Sequence, residues 1–130
     1  MRTLVAVALG GAVGATARYL LAGWLQARAA AARGWFALFP VGTLAVNLLG
    51  CFAIGLLAAL FQERVAGDPA VRTFALVGVL GGFTTFSTFG LETLALARGG
   101  NLALAFGNVG ASVALGLAGV WAGAALARAL

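Results

Sequence analysis

The stretch LGGFTTFSTFGLE, Leu80–Glu92, decides how this chain is read. It sets the glycine pair Gly81-Gly82, the hydroxyls of Thr84, Thr85, Ser87 and Thr88, and the rings of Phe83, Phe86 and Phe89 inside an otherwise apolar run, then ends on a carboxylate. Adjacent glycines lower helix propensity and free backbone carbonyls that must find other partners. In a soluble domain water would serve them. In a membrane nothing in the lipid can, so such a stretch must line a cavity or coordinate an ion. The rest of the chain says which solvent applies.

Of 130 residues, 63% are hydrophobic and only 8% charged, whereas a soluble domain carries about a quarter Asp, Glu, Lys and Arg. Lipid is therefore the expected solvent for most of this surface. The net charge of +5 comes from eight arginines against three acids. Those arginines stand singly along the chain, without the basic face that a nucleic-acid partner requires. Cys51 is the sole cysteine and there is no histidine. An intrachain disulfide and a Ser-His or Cys-His nucleophile are excluded by inventory, and with three acids far apart zinc or di-iron chemistry has almost nothing to build on. The N-terminal MRTLVAVALGGAVGATARY imitates a signal peptide. The apolar pattern resumes after Arg18, however, and marks a first membrane helix.

A helix needs about 20 apolar residues to cross the hydrocarbon. Four such runs are predicted, at 4–25, 38–61, 73–97 and 102–126, within a single all-α membrane domain spanning 1–130. The third is expected to be broken mid-span at the glycine pair. Short separators carry the charges, among them Gln26–Gly34 and the turn signal Gly67-Asp68-Pro69. An even number of spans puts Arg2, Arg64, Arg72 and Arg128 on one side of the membrane and Arg28, Arg33 and Arg98 on the other. Arg18 is able to snorkel toward the second group and even the count. Orientation follows Lys and Arg bias, so this chain carries almost no orientation signal. Either a partner overrides the weak bias, or the chain inserts both ways and pairs head-to-tail. Its small size favours the second reading. The small-xxx-small pairs Gly10/Gly14, Gly78/Gly82 and Gly119/Gly123 read as helix packing, within or between chains.

Polar groups at bilayer depth face the protein interior or a water-filled path. They are Arg18 in the first span, Thr43 and Asn47 in the second, Thr84, Thr85, Ser87, Thr88 and Glu92 in the third, and Asn108 and Ser112 in the fourth. Thr43/Asn47 and Asn108/Ser112 are each four apart, so each pair shares a helix face. Interhelical hydrogen bonds worth about 0.6 kcal/mol explain those pairs as well as a pathway does. The third span is harder to explain that way. Beyond its glycines the i,i+3 pairs Thr84/Ser87, Thr85/Thr88 and Phe86/Phe89 set a hydroxyl wall beside a phenyl wall wherever the helix has resumed. Hydroxyl and amide donors and the positive edge of a ring suit a small anion. A cation would prefer ring faces, and the residues do not choose edge from face. Glu92 lies two turns beyond the glycines, which counts modestly against a cation path.

With these residues in view, the chain resembles the CrcB/Fluc fluoride channels of bacteria over essentially its full length. The likeness rests on GGAVGATARY (Gly10–Tyr19), GTLAVNLLGCFAIG (Gly42–Gly55) and, most specifically, GVLGGFTTFSTFGLE (Gly78–Glu92). The resemblance implies a passive fluoride-specific channel of the bacterial cytoplasmic (inner) membrane that protects against fluoride toxicity. It implies a dual-topology homodimer of two antiparallel four-helix chains enclosing two pores. A structural, untransported Na⁺ at the dimer centre would be held by the main-chain carbonyls of Gly81 and Thr84. Ring edges of Phe86 and Phe89 and the amide of Asn47 would meet fluoride, with Thr43, Ser87, Thr88 and Ser112 along the path. Arg18 would serve a vestibule or anchor the first helix. Partners would be fluoride, a second copy and the bilayer. This chain departs from the family pattern at Asn108, where many members carry tyrosine. Two other classes compete. A proton-coupled multidrug exporter would need a deep carboxylate, for which Glu92 is the one candidate. A purely structural membrane subunit would use the polar residues as glue.

Overall fold

The structure, a computed structural model, describes residues 1–32, 34–63 and 68–130. Arg33 and Arg64 of the charge count and Gly67 of the turn signal lie outside the described residues. Among those residues helix is the one regular secondary structure and there are no strands. Its elements in order are α1 (Arg2–Ala31), α2 (Trp35–Leu38), α3 (Val41–Glu63), α4 (Pro69–Thr73), a π-helical segment (Phe74–Leu80), α5 (Gly81–Phe83), α6 (Phe86–Arg98) and α7 (Leu102–Ala129).

Four helical runs are long and apolar enough to cross a membrane: Arg2–Ala31, Val41–Gln62, Pro69–Arg98 and Leu102–Ala129. The chain is thus a multi-pass membrane protein, with one run for each apolar stretch read from the sequence. The helices overrun the hydropathy boundaries where propensity carries them. α1 continues past Leu25 through Gln-Ala-Arg-Ala-Ala-Ala, all strong helix formers. At the start of α4 the Asp68 carboxylate accepts from Ala70 N–H at 2.8 Å, with Pro69 inside the first turn. α6 and α7 are joined by a tight turn in which Gly100 takes φ 79°, a left-handed conformation that glycine adopts without steric cost.

Large apolar side chains point outward along the whole chain, Leu9, Val77, Leu117 and Trp121 among them, and few are enclosed. Lipid provides no hydrophobic force between helices, so close backbone approach takes over. α1 lies against the π-helical segment and α5 through glycines. A Cβ placed on Gly10 would come 2.6 Å from the Phe74 carbonyl oxygen and 2.9 Å from Gly78 Cα, and one on Gly82 would come 2.7 Å from the Gly11 carbonyl oxygen. α3 and α7 meet the same way, Gly55 against the Val120 carbonyl and Gly123 against that of Phe52. The contacts advance in step along both members of each pair, so α1 runs parallel to the third span and α3 parallel to α7. A further seam, α1 to the start of α3, is pinned by Gln26. Its Oε1 accepts from Gly42 N–H (3.1 Å) and its Nε2 donates to the Phe39 carbonyl (3.2 Å).

Candidate functional site

The site is built around two residues, Thr84 and Thr85, which are extended (φ −95°, ψ 159° and φ −151°, ψ 121°) between α5 and α6. In a continuous helix the Gly81 carbonyl would accept from Thr85 N–H, and the Thr84 carbonyl from Thr88 N–H. Both donors are taken elsewhere. Thr85 N–H donates to Asn47 Oδ1 on α3 at 2.8 Å, and Asn47 Nδ2 returns a bond to the Thr85 carbonyl at 3.0 Å. Thr88 N–H donates to Thr85 Oγ1 at 3.2 Å, the N-cap of α6. On the α5 side, Thr84 N–H and Oγ1–H both donate to the Leu80 carbonyl at 3.1 Å. Arg18 Nε donates to the Gly82 carbonyl at 3.1 Å.

The glycine pair, expected to be where the helix opens, is itself helical, with Gly81 at φ −63°, ψ −37°. Gly82 is needed for its closeness to α1. The extended conformation belongs to Thr84 and Thr85, where the Asn47 amide on α3 supplies Thr85 with substitute hydrogen bonds for both its N–H and its carbonyl. One expected ladder changes accordingly. Thr84, being extended, does not stack on Ser87 as a helical i,i+3 neighbour. Thr85 and Thr88 do meet, hydroxyl to hydroxyl at 3.0 Å. Phe86 and Phe89 also meet, with ring centroids 5.3 Å apart and planes tilted by 39°.

Two clefts flank Thr85, which lines both. The larger, about 350 Å³, is walled by Asn47, Gly81, Thr84, Phe86, Phe89 and Ser112, with Cys51 and aliphatic side chains between them. The smaller, about 250 Å³, is walled by Arg18, Thr43, Thr88 and Glu92, with Tyr19 and Gln26 at its side. The residues picked from the sequence are thus gathered, but into two groups. Ser87 joins neither; it is exposed and its hydroxyl lies 3.3 Å from Thr85 Oγ1. Phe86 is 83% exposed, its ring projecting away from the rest of the chain.

Two partnerships went unread in the sequence, Glu92 with Thr43 and Gln26 with the start of α3. Glu92, set aside there as distant from the glycines, accepts from Thr43 Oγ1 at 2.8 Å across the seam between α6 and α3. The positions 85, 88 and 92 fall on one helical face, and that spacing was the available signal. Gln26 stands eight residues after Arg18, also on one face, and completes the polar side of α1. Asn108, 1% exposed, donates to Thr93 Oγ1 at 2.8 Å, and Thr93 Oγ1 donates to the Phe89 carbonyl at 2.7 Å. Ser112 Oγ and Glu92 Oε2 are buried atoms without a hydrogen-bond partner among the described residues.

Chemically, the walls offer hydroxyl, amide and guanidinium donors, with one carboxylate already receiving a bond. No group of three His, Cys, Asp or Glu gathers among the described residues. The Gly81 and Thr84 carbonyls, their helical donors bonded elsewhere, are hard oxygen acceptors.

Comparison with known proteins bears on what these walls do. The family described as CrcB-like protein, Camphor Resistance (CrcB), matches residues 5–124. The chain is 48% identical over 122 residues to the fluoride-specific ion channel FluC of Solibacter usitatus, covering 94% of this chain and 95% of that protein. It is 48% identical over 130 residues to the fluoride-specific ion channel FluC of Geobacter sulfurreducens, covering 100% of both chains. With the protein of the same name from Stutzerimonas stutzeri it shares 46% over 128 residues, 98% of each.

Proposed function

The chain belongs to the CrcB family, and from that premise we propose that it is a fluoride-specific channel through which fluoride leaves the bacterial cell passively across the inner membrane, relieving fluoride toxicity. The observation that carries this reading is the position of Thr85, the shared wall of two clefts, the larger offering the neutral donors of Asn47 and Ser112, the smaller the hydroxyls of Thr43 and Thr88 between the Arg18 guanidinium and the Glu92 carboxylate. Fluoride is small and strongly hydrated, so a conducting path must replace its water in several weak steps and hold it tightly at none. Asn47, Phe86, Phe89 and Ser112 on one side of Thr85, and Thr43 and Thr88 on the other, supply such steps in series. Ser87 extends the hydroxyl series at the exposed end. Arg18, anchored through Nε to the Gly82 carbonyl, keeps the rest of its guanidinium beside the smaller cleft, where it draws anions inward.

The functional unit in this proposal is a homodimer of two chains inserted in opposite senses. The near-even arginine distribution supports dual insertion. The outward projection of Phe86 supports a second copy that completes the wall of the larger cleft. The Gly81 and Thr84 carbonyls, relieved of their helical donors and both lining that cleft, fit a structural Na⁺. When bound, the ion supplies positive charge to oxygens that lipid cannot satisfy.

The test is fluoride efflux from liposomes of purified protein loaded with potassium fluoride, triggered by valinomycin and followed with a fluoride electrode. Rapid fluoride release with chloride retained is the expected result. Vesicles that stay fluoride-tight, or that release fluoride only against a proton gradient, would overturn the proposal.

A further inference from the structure

The backbone of Phe89 is tied to α7 through a buried amide, that of Asn108, which lines neither of the two clefts. α6 is the free-standing half of the third span, because its first turn follows two extended residues. Its rotation about its own axis therefore depends on side-chain bonds to neighbouring helices. α3 supplies two of them, Asn47 to Thr85 and Thr43 to Glu92. From α7 the only one among the described residues is Asn108 Nδ2 to Thr93 Oγ1, at 2.8 Å.

That bond does more than join helices. Thr93 Oγ1–H in turn donates a hydrogen bond to the Phe89 carbonyl at 2.7 Å, so the amide of Asn108 reaches the backbone of Phe89 through one intermediary. Asn108 is 1% exposed, which leaves its amide no water to exchange for the threonine. One turn further along the same face of α7, Ser112 lines the larger cleft, as Phe89 does from α6. The two walls of that cleft are thus registered to each other through Asn108 and Thr93.

We infer that Asn108, acting through Thr93, is a positioning residue that sets where the Phe89 ring stands relative to Ser112, and with it the rate and anion selectivity of the larger cleft. The inference rests on the fluoride-channel reading. It accounts for a fully buried amide that an apolar residue would otherwise replace at no cost to helix packing in lipid.

The test is a two-residue cycle in the liposome assay, using Asn108→Leu, Thr93→Val and the double variant, each measured as monodisperse protein beside the wild type. Each single variant is expected to lose fluoride efflux by about tenfold, the scale of a sub-ångström misplacement of a reacting or binding group. Each should also shift the fluoride–chloride reversal potential toward chloride. The double variant is expected to match the worse single one, because both remove the same link. Single variants with wild-type rate and selectivity, or losses that multiply in the double variant, would overturn the inference. Thr93→Val is isosteric, and carries the test alone if Asn108→Leu fails to assemble. Wild-type vesicles that hold fluoride would overturn the channel reading and this inference together. Conducting wild type with conducting variants would overturn this inference only.

Discussion

Asn47 does two jobs in this structure, and one pair of substitutions separates them. Its amide accepts from Thr85 N–H at 2.8 Å and donates to the Thr85 carbonyl at 3.0 Å, replacing bonds that the extended backbone gives up. Asn47→Leu removes both. Each bond contributes about 1 kcal/mol net, so the loss is about 2 kcal/mol, or about thirtyfold in the opening equilibrium of the Thr85 amide. Buried groups left unpaired raise that cost further. Asn47→Asp keeps the acceptor and loses the donor, so Thr85 N–H should stay protected. An ionised carboxylate there would repel fluoride by about 4 kcal/mol at about 4 Å and an effective dielectric of about 20, close to a thousandfold in occupancy. Hydrogen–deuterium exchange on detergent-solubilised protein reads the first quantity, and valinomycin-triggered efflux reads the second. The expected pattern is lost protection with Asn47→Leu, retained protection with Asn47→Asp, and depressed flux in both. Wild-type protection of Thr85 in Asn47→Leu would refute the clamp, and wild-type flux in Asn47→Asp would refute the anion path.

Neighbouring glycines on α1 should respond with opposite signs. Alanine at Gly10 would need its neighbours to retreat by about 0.8 Å from the 2.6 Å approach to Phe74, and is expected to destabilise by about 1–3 kcal/mol. Alanine at Gly11 meets nothing within 4 Å and gains about 1 kcal/mol of helix propensity; thermal unfolding in detergent checks both. Phe86→Ile is expected to cut fluoride efflux at least about tenfold while leaving dimer assembly intact by size-exclusion chromatography, because isoleucine keeps an apolar side chain on the face turned toward the second copy. Exhaustive replacement of Na⁺ by a bulky organic cation should lower thermal stability and flux together. Sodium at a hundred times its dissociation constant contributes about 2.7 kcal/mol, and unchanged melting would remove the structural ion.

Much of this molecule is legible without coordinates. The four spans follow from summed hydropathy, a property of consecutive residues that lipid reads directly. Family membership is carried by local motifs in the same way. Even the glycine seam between α1 and the third span is foreshadowed, because four-residue spacing puts Gly10/Gly14 and Gly78/Gly82 each on one face.

The partners of the polar residues are another matter. Gly81-Gly82 looked like the weak point of the third helix by intrinsic propensity, yet those residues stay helical and the extended backbone falls on Thr84 and Thr85. Propensity prices a residue against water or a generic helix, and it knows nothing of an amide presented by α3. Asn47 reaches Thr85 across 38 positions, Thr43 reaches Glu92 across 49, and Arg18 reaches Gly82 across 64. Each of these bonds exists because helices packed on glycine bring distant side chains within hydrogen-bond range, in surroundings where an unmet donor or acceptor has no water to turn to. One-dimensional pattern settled which solvent the chain lives in and how often it crosses. Which carbonyls are left over, and which side chains stand beside them, came from packing.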